Sequence, residues 1–174
     1  MNTGRLLLRL VVGGYFIGHG TQKLFGWFGG GGLNATASSF ERLGLRPGKR
    51  NAIAAGVTET GGGAALVLGA ATPIASAALI GTMMTAIRTV HFKNGPWLKN
   101  NGYEYNLVLL AAAVALAEVG PGKISADARL GLDTYGNGWA IAALAAGVGG
   151  AFGTEFLARR SPASAPVSTS TAEQ

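Results

Sequence analysis

Charged residues are sparse within five long apolar stretches of this chain and crowd into the connections between them; no other feature restricts its fold as much. A helix needs about 20 mainly apolar residues to cross the roughly 30 Å hydrocarbon layer of a bilayer. The stretches cover about residues 4–28, 51–71, 74–92, 104–119 and, more weakly, 138–157. Between them the connections are short. A chain built this way has little sequence left for a soluble domain, and lipid is the solvent it is suited to.

Composition points the same way. Only 13% of the 174 residues are charged and 48% are hydrophobic, whereas a water-soluble domain carries about 25% charged residues. The formal balance, 14 basic against 8 acidic residues, is strongly positive. Nucleic acid rewards such an excess only when Lys and Arg form a stripe or patch. Here they sit at the ends of apolar stretches, as topology signals do, so no nucleic-acid partner is expected. There is no cysteine, which removes disulfides, thiol catalysis, thiolate metal sites and iron–sulfur ligation within the chain. Any redox chemistry must come from a cofactor, a quinone or a partner subunit.

The first stretch has Arg5 and Arg9 ahead of its apolar run, and 35–37 is Ala-Thr-Ala, a pattern shared with cleaved signal peptides. A cleavage region, however, turns small and polar directly after its apolar core. Here His19, Gln22 and Lys23 are followed by another apolar-aromatic turn, so the reading adopted is a retained helix. Gly29 to Gly32 should stop it, since four glycines make continuation costly. Residues 34–45 then suit a short surface helix with Phe40, Leu43 and Leu45 on its apolar side. Thr72 and Pro73 suggest a tight turn between the second and third spans, making them an antiparallel hairpin. Gly120, Pro121 and Gly122 end the fourth. The spans are rich in Gly and Ala, including Gly13, Gly20, Gly63 and Gly147. In lipid, small residues let helix backbones approach closely.

This topology puts the end of span one, the start of span two, the end of span three and the start of span four on one side of the bundle. Thr58, Glu59 and Thr60 lie about nine residues into span two, roughly 13 Å deep at about 1.5 Å per residue. His19 has a similar depth in span one. Lys23, Arg88, His91 and Glu104 belong to the same end. Ionisable groups inside a membrane cost about 2.5–3.5 kcal/mol each on insertion scales, so they pair or line a cavity. Glu59 is too short to reach the interface and should be bridged to Arg88 or Lys23, with His19 and Glu104 around them. Two readings stay open. The cluster is a polar pocket for a quinone head group, a small anion or protons, or else a buried ion pair that fixes helix register.

The two histidines are poor haem ligands, because His91 is expected at the interface and His19 deeper; no metal site is expected. Trp27, Trp97, Tyr103, Tyr105 and Trp139 lie near span ends, as interfacial aromatic anchors do. At the opposite end Arg9 and Glu118 are expected to pair across the bundle as a structural contact. Basic residues outnumber on the pocket side (Arg42, Arg46, Lys49, Arg50, Lys93 and Lys99), which places that side in the cytoplasm.

The run Arg9, Gly14, Tyr15, Phe16, His19, Gly20, Lys23, Leu24, Phe25, followed by Glu59, Gly62, Gly63, Leu66 and Gly69, resembles the DoxX-like family of bacterial integral membrane proteins. Asn101 to Glu104 and Gly120 to Asp127 are similar to that family's later motifs, so the resemblance covers about residues 4–133. It implies a four-helix bundle in the bacterial inner membrane, associated with quinone-linked sulfur oxidation and with membrane oxidoreductase complexes. It also implies Arg9, His19, Lys23, Glu59, Glu104 and Asp127 as the polar positions typical of the family. The sequence departs from the four-helix pattern in its extension from Gly138 onwards.

The resulting expectation is an all-α membrane protein. A four-helix transmembrane bundle fills 1–137, an additional candidate span 138–160 and a disordered tail 161–174. Its substrate-binding residues would be Glu59, His19, Lys23, Arg88 and Glu104, and its structural polar residues Arg9, Glu118 and Asp127. The functional expectation is a non-autonomous subunit of a quinone-linked oxidoreductase in the bacterial inner membrane. Quinone would be its non-covalent cofactor; lipid, further oxidoreductase subunits and further copies of itself would be its partners. The alternatives are a non-catalytic scaffold or assembly protein and a small-solute transporter. The transporter is the weakest, for want of an inverted repeat or a pair of broken helices.

Overall fold

The computed structural model describes residues 3–161, and those residues are helical with no strand among them. The disordered tail expected over 161–174 falls, Ser161 apart, outside the described residues. Seven helices follow in chain order: α1 (Thr3–Phe25), α2 (Gly32–Arg42), α3 (Gly48–Leu68), α4 (Thr72–Ala86), α5 (Glu104–Val119), α6 (Ala126–Arg129) and α7 (Asn137–Arg160).

Several boundaries differ from expectation, each for a local reason. α1 stops at Phe25 because Gly26 takes a left-handed conformation (φ 75°); Trp27–Gly29 then forms a separate 3-10 turn. α3, where the second apolar stretch was expected, begins at Gly48 rather than Asn51 and ends at Leu68. Its stop is Gly69, again left-handed (φ 64°), whose N–H reaches back to the carbonyls of Ala65 and Leu66. Thr72 and Pro73 do not make the hairpin turn; they open α4, where a proline in the first turn costs no hydrogen bond. The third span does not end as a plain α-helix. After Ala86 it widens into a π turn over Ile87–His91 and closes with a 3-10 turn, Phe92–Asn94. The connection before α7 holds the short α6, capped by the Ser125 hydroxyl accepting the Ala128 N–H at 3.2 Å.

Glycine seams set the packing. α1 and α3 lie antiparallel with Gly13 against Gly63 and Gly20 against Gly56. A Cβ on Gly13 would sit 2.6 Å from the Gly63 carbonyl oxygen, and one on Gly63 the same distance from Gly13 O. The two backbones therefore touch, as small residues allow in lipid. α4 meets α7 through a similar seam, where Gly147 leaves room for Ile80 and a Cβ on it would lie 2.7 Å from Ala77 O. α7 also packs on α5, so the C-terminal helix is a member of the bundle. Phe16, Leu66, Leu79, Ile80, Ala113 and Leu116 fill the centre.

The outward faces are apolar as well: Leu7, Leu10 and Val11 on α1, Ile53 and Val57 on α3, Leu107 and Val108 on α5, Ile141, Phe152 and Phe156 on α7. Water-soluble monomers rarely expose contiguous apolar patches beyond a few hundred Å². Two helical segments, Thr72–Asn94 (23 residues) and Asn137–Arg160 (24 residues), are long and apolar enough to cross a membrane.

Candidate functional site

A cavity of about 770 Å³ runs along one side of α4. Ile74, Ala78, Gly81 and Thr85 recur every three or four residues along α4, so one broad face of that helix borders it, and Thr89 of the π turn continues the wall. Ala54, Ala55, Thr58 and Glu59 of α3 bound it on one flank and Ala146, Gly147, Gly150 and Thr154 of α7 on another. The walls are mostly apolar. Two of the lining threonines spend their hydroxyls on the local backbone, Thr82 Oγ1 donating to Leu79 O (2.9 Å) and Thr89 Oγ1 to Thr85 O (2.8 Å).

Polar side chains gather where α1, α3 and α5 meet the cavity. Lys23 Nζ lies 2.6 Å from Glu59 Oε2 and also approaches His19 O at 3.4 Å. Glu59 is 4% exposed. One turn before Lys23, His19 places Nδ1 3.1 Å from Gln22 Oε1, and its ring tilts against that of Tyr105 with centroids 6.1 Å apart. Asn106 follows Tyr105 into the cavity wall, with Nδ2 3.5 Å from Met83 Sδ. Helical spacing explains the grouping: His19, Gln22 and Lys23 occupy one face of α1, and the Gly20–Gly56 contact brings α3 close enough for Glu59 to meet Lys23 directly.

Of the expected binding residues the structure thus unites Glu59, Lys23 and His19, and it separates two others. Arg88 does not join Glu59. Its guanidinium forms a two-point pair with Glu155 of α7 (2.7 and 3.0 Å) and stacks over the Phe152 ring at 3.9 Å. Planar guanidinium prefers such a fork to a distant carboxylate. Glu104 is exposed and accepts the Leu98 N–H at 2.9 Å, bracing the 92–103 connection instead of the pocket. His91, expected at a different level from His19, lines the same cavity, with Nδ1 2.8 Å from Asn101 O. No group of three or more His, Asp or Glu that could hold a metal occurs among the described residues.

The opposite end also departs from expectation. Arg9, 2% exposed, does not meet Glu118, which is exposed. It donates to four backbone carbonyls instead: Nε to Leu66 O (2.8 Å), Nη2 to Val67 O (2.7 Å), and Nη1 to Pro121 O (2.7 Å) and Ile124 O (2.8 Å). Val67 O is a helix-end carbonyl of α3, and Leu66 O accepts Arg9 Nε in addition to the Gly69 N–H; a guanidinium is shaped to reach both. Asp127 answers at the start of α4, accepting the N–H of Ala71 (2.7 Å) and both the N–H and the hydroxyl of Thr72 (3.1 and 2.9 Å). Together they tie the α3–α4 hairpin to the 121–127 connection.

Two residues at the cavity, Tyr105 and Asn106, and the acid that pairs with Arg88, Glu155, were not among the expected site residues. Tyr105 was expected only as an interfacial aromatic anchor near the end of a span. Glu155 carried a usable signal, since it stands alone as an acid in α7, as Glu59 does in α3.

Outward apolar faces, membrane-length helices and polar groups turned inward together define an all-helical membrane protein. The DoxX family model matches residues 4–92, half of the chain, from the start of α1 through the π turn, and the protein belongs to that family. No curated protein and no solved structure matches it. The match contains Arg9, His19, Lys23, Glu59 and Arg88; Tyr105, Asp127 and Glu155 lie beyond it.

Proposed function

We propose that the protein is a multi-pass subunit of a quinone-linked oxidoreductase system in the bacterial inner membrane, and that its cavity receives the head group and the first part of the tail of a quinone. The observation carrying this is a large, mostly apolar cavity ending in a single ion pair, Lys23–Glu59, with His19 and Tyr105 beside it. Ligand sites have this character: apolar walls for contact area and a few polar groups for orientation. Intramembrane ionisable residues commonly mark such sites. α1, α3, α4, α5 and α7 would cross the bilayer, placing the basic residues Arg42, Arg46, Lys49 and Arg50 on the cytoplasmic side. The protein would work with partner subunits that carry the electrons.

The test is purification from bacterial membranes in mild detergent, with quinone and co-purifying subunits measured by mass spectrometry. Wild type should retain quinone, and Glu59→Gln, still inserted and folded, should lose most of it. Equal retention by wild type, Glu59→Gln and Glu59→Leu would defeat the proposal. That result would favour the scaffold reading, in which the short Lys23–Glu59 contact only fixes the register of α1 against α3.

A further inference from the structure

We infer that the polar end of the cavity selects an amphiphile whose head group donates a hydrogen bond, a hydroxyl in the first instance, and that His19 Nε2 is the atom accepting it. The inference rests on reading the cavity as an amphiphile site and adds the chemistry of the head group.

The proton on His19 is fixed by a carbonyl outside the pocket. Gln22 Nε2 donates to Phe28 O at 3.3 Å, so the amide oxygen of Gln22 is the end turned to His19. That oxygen can only accept. His19 Nδ1, 3.1 Å away, must therefore carry the proton, and the neutral ring then has its lone pair on Nε2. The opposite tautomer would require the Gln22 amide to turn over and set its oxygen against the Phe28 carbonyl, two acceptors face to face. Backbone geometry at the end of α1 thus decides the tautomer of a cavity residue one turn earlier.

Nε2 has no hydrogen-bond partner among the described residues, and it is not among the buried polar atoms that lack one, so it is open to a ligand. Glu59 adds a second acceptor: its Oε2 is held by Lys23, which leaves Oε1. His19 Nε2 and Glu59 Oε1 thus supply two acceptors at this end of the cavity, with Lys23 as the charged donor beside the neutral Tyr105 hydroxyl and Asn106 amide. A hydroxyl can give its proton to Nε2 and accept from Lys23 at once. For a quinone couple this geometry favours the hydroxyl-bearing, reduced form over the oxidised one.

Para-decylphenol and its methyl ether separate these terms, because they share tail and ring and differ in the hydroxyl proton. Neither depends on redox state. Their affinities for the full-length protein in lipid nanodiscs are read by calorimetry. Wild type should bind the phenol roughly three- to tenfold more tightly than the ether, the worth of one hydrogen bond. His19→Phe should bring that ratio near one, and His19→Gln, which keeps an accepting oxygen, should recover part of it. Equal wild-type affinities for phenol and ether would overturn the inference while leaving the cavity reading intact. A full preference surviving in His19→Phe would overturn the assignment to Nε2. Binding of neither compound by wild type would overturn the cavity reading and this inference with it.

Discussion

Replacing Arg9 by Met should destabilise the protein more than replacing any exposed arginine, although Arg9 touches no cavity. Its guanidinium donates four hydrogen bonds of 2.7–2.8 Å from a site that is 2% exposed. A hydrogen bond from a charged donor contributes about 1.5–3 kcal/mol net, so four taken independently would give roughly 6–12 kcal/mol. Two effects reduce that sum. Removing the cation also removes the several kcal/mol needed to desolvate it, and Val67 O and Ile124 O are only partly buried, so water can replace a donor there. The net expectation is about 3–5 kcal/mol for Arg9→Met. Arg9→Lys should recover little, because an ammonium presents its donors from one point and cannot span carbonyls on two separate segments. The assay is reversible unfolding in mixed detergent micelles, with Arg50→Met, an exposed arginine at the other end, as the control expected within about 0.5 kcal/mol of wild type. If Arg9→Met unfolds within that same margin, the carbonyl socket does not hold the hairpin to the 121–127 connection and the reasoning fails.

Two further outcomes follow from the packing and from the second ion pair. Gly63→Ala would set a Cβ 2.6 Å from Gly13 O and should cost about 2–4 kcal/mol by forcing α1 and α3 apart, whereas Gly61→Ala, with open space before it, should be neutral within about 0.5 kcal/mol; equal effects in the same unfolding assay would contradict the seam. For Arg88 and Glu155, a double-mutant cycle with Arg88→Met and Glu155→Gln should return a coupling of about 1–3 kcal/mol, and a value near zero would mean that the forked contact contributes nothing to holding α7.

Much of the architecture was legible because lipid imposes a simple constraint. A run of some twenty apolar residues has few fates, and the glycines and prolines between runs mark where each must end. The stretch 104–119 was delimited to the residue. Gly26 and Gly69 ended helices earlier than expected, since one left-handed glycine in the right place suffices and a run of four is not needed. The need of Glu59 for a cation also followed from its place within an apolar stretch, and Lys23 meets it. The Glu155 pairing did not follow, because it joins residues far apart in the chain and depends on how α7 packs against α4.

The sequence alone determined that this chain is helical, belongs in lipid and holds acids and bases within apolar stretches where they need partners. Tertiary structure decided which partner each one takes: Lys23 and not Arg88 for Glu59, Glu155 for Arg88, four carbonyls and not Glu118 for Arg9. The physical reason lies in the solvent. In water a helix shows its inward face by the contrast between apolar and polar sides, and rotation about its axis can be read from periodicity. Here both faces are apolar, Leu79 within the bundle and Ile141 outside it, so periodicity says little about rotation. Rotation is set by where small residues let backbones touch, at Gly13–Gly63, Gly20–Gly56 and Gly81–Gly147. Those contacts join residues far apart in the chain. They bring an acid within reach of one cation and turn another away.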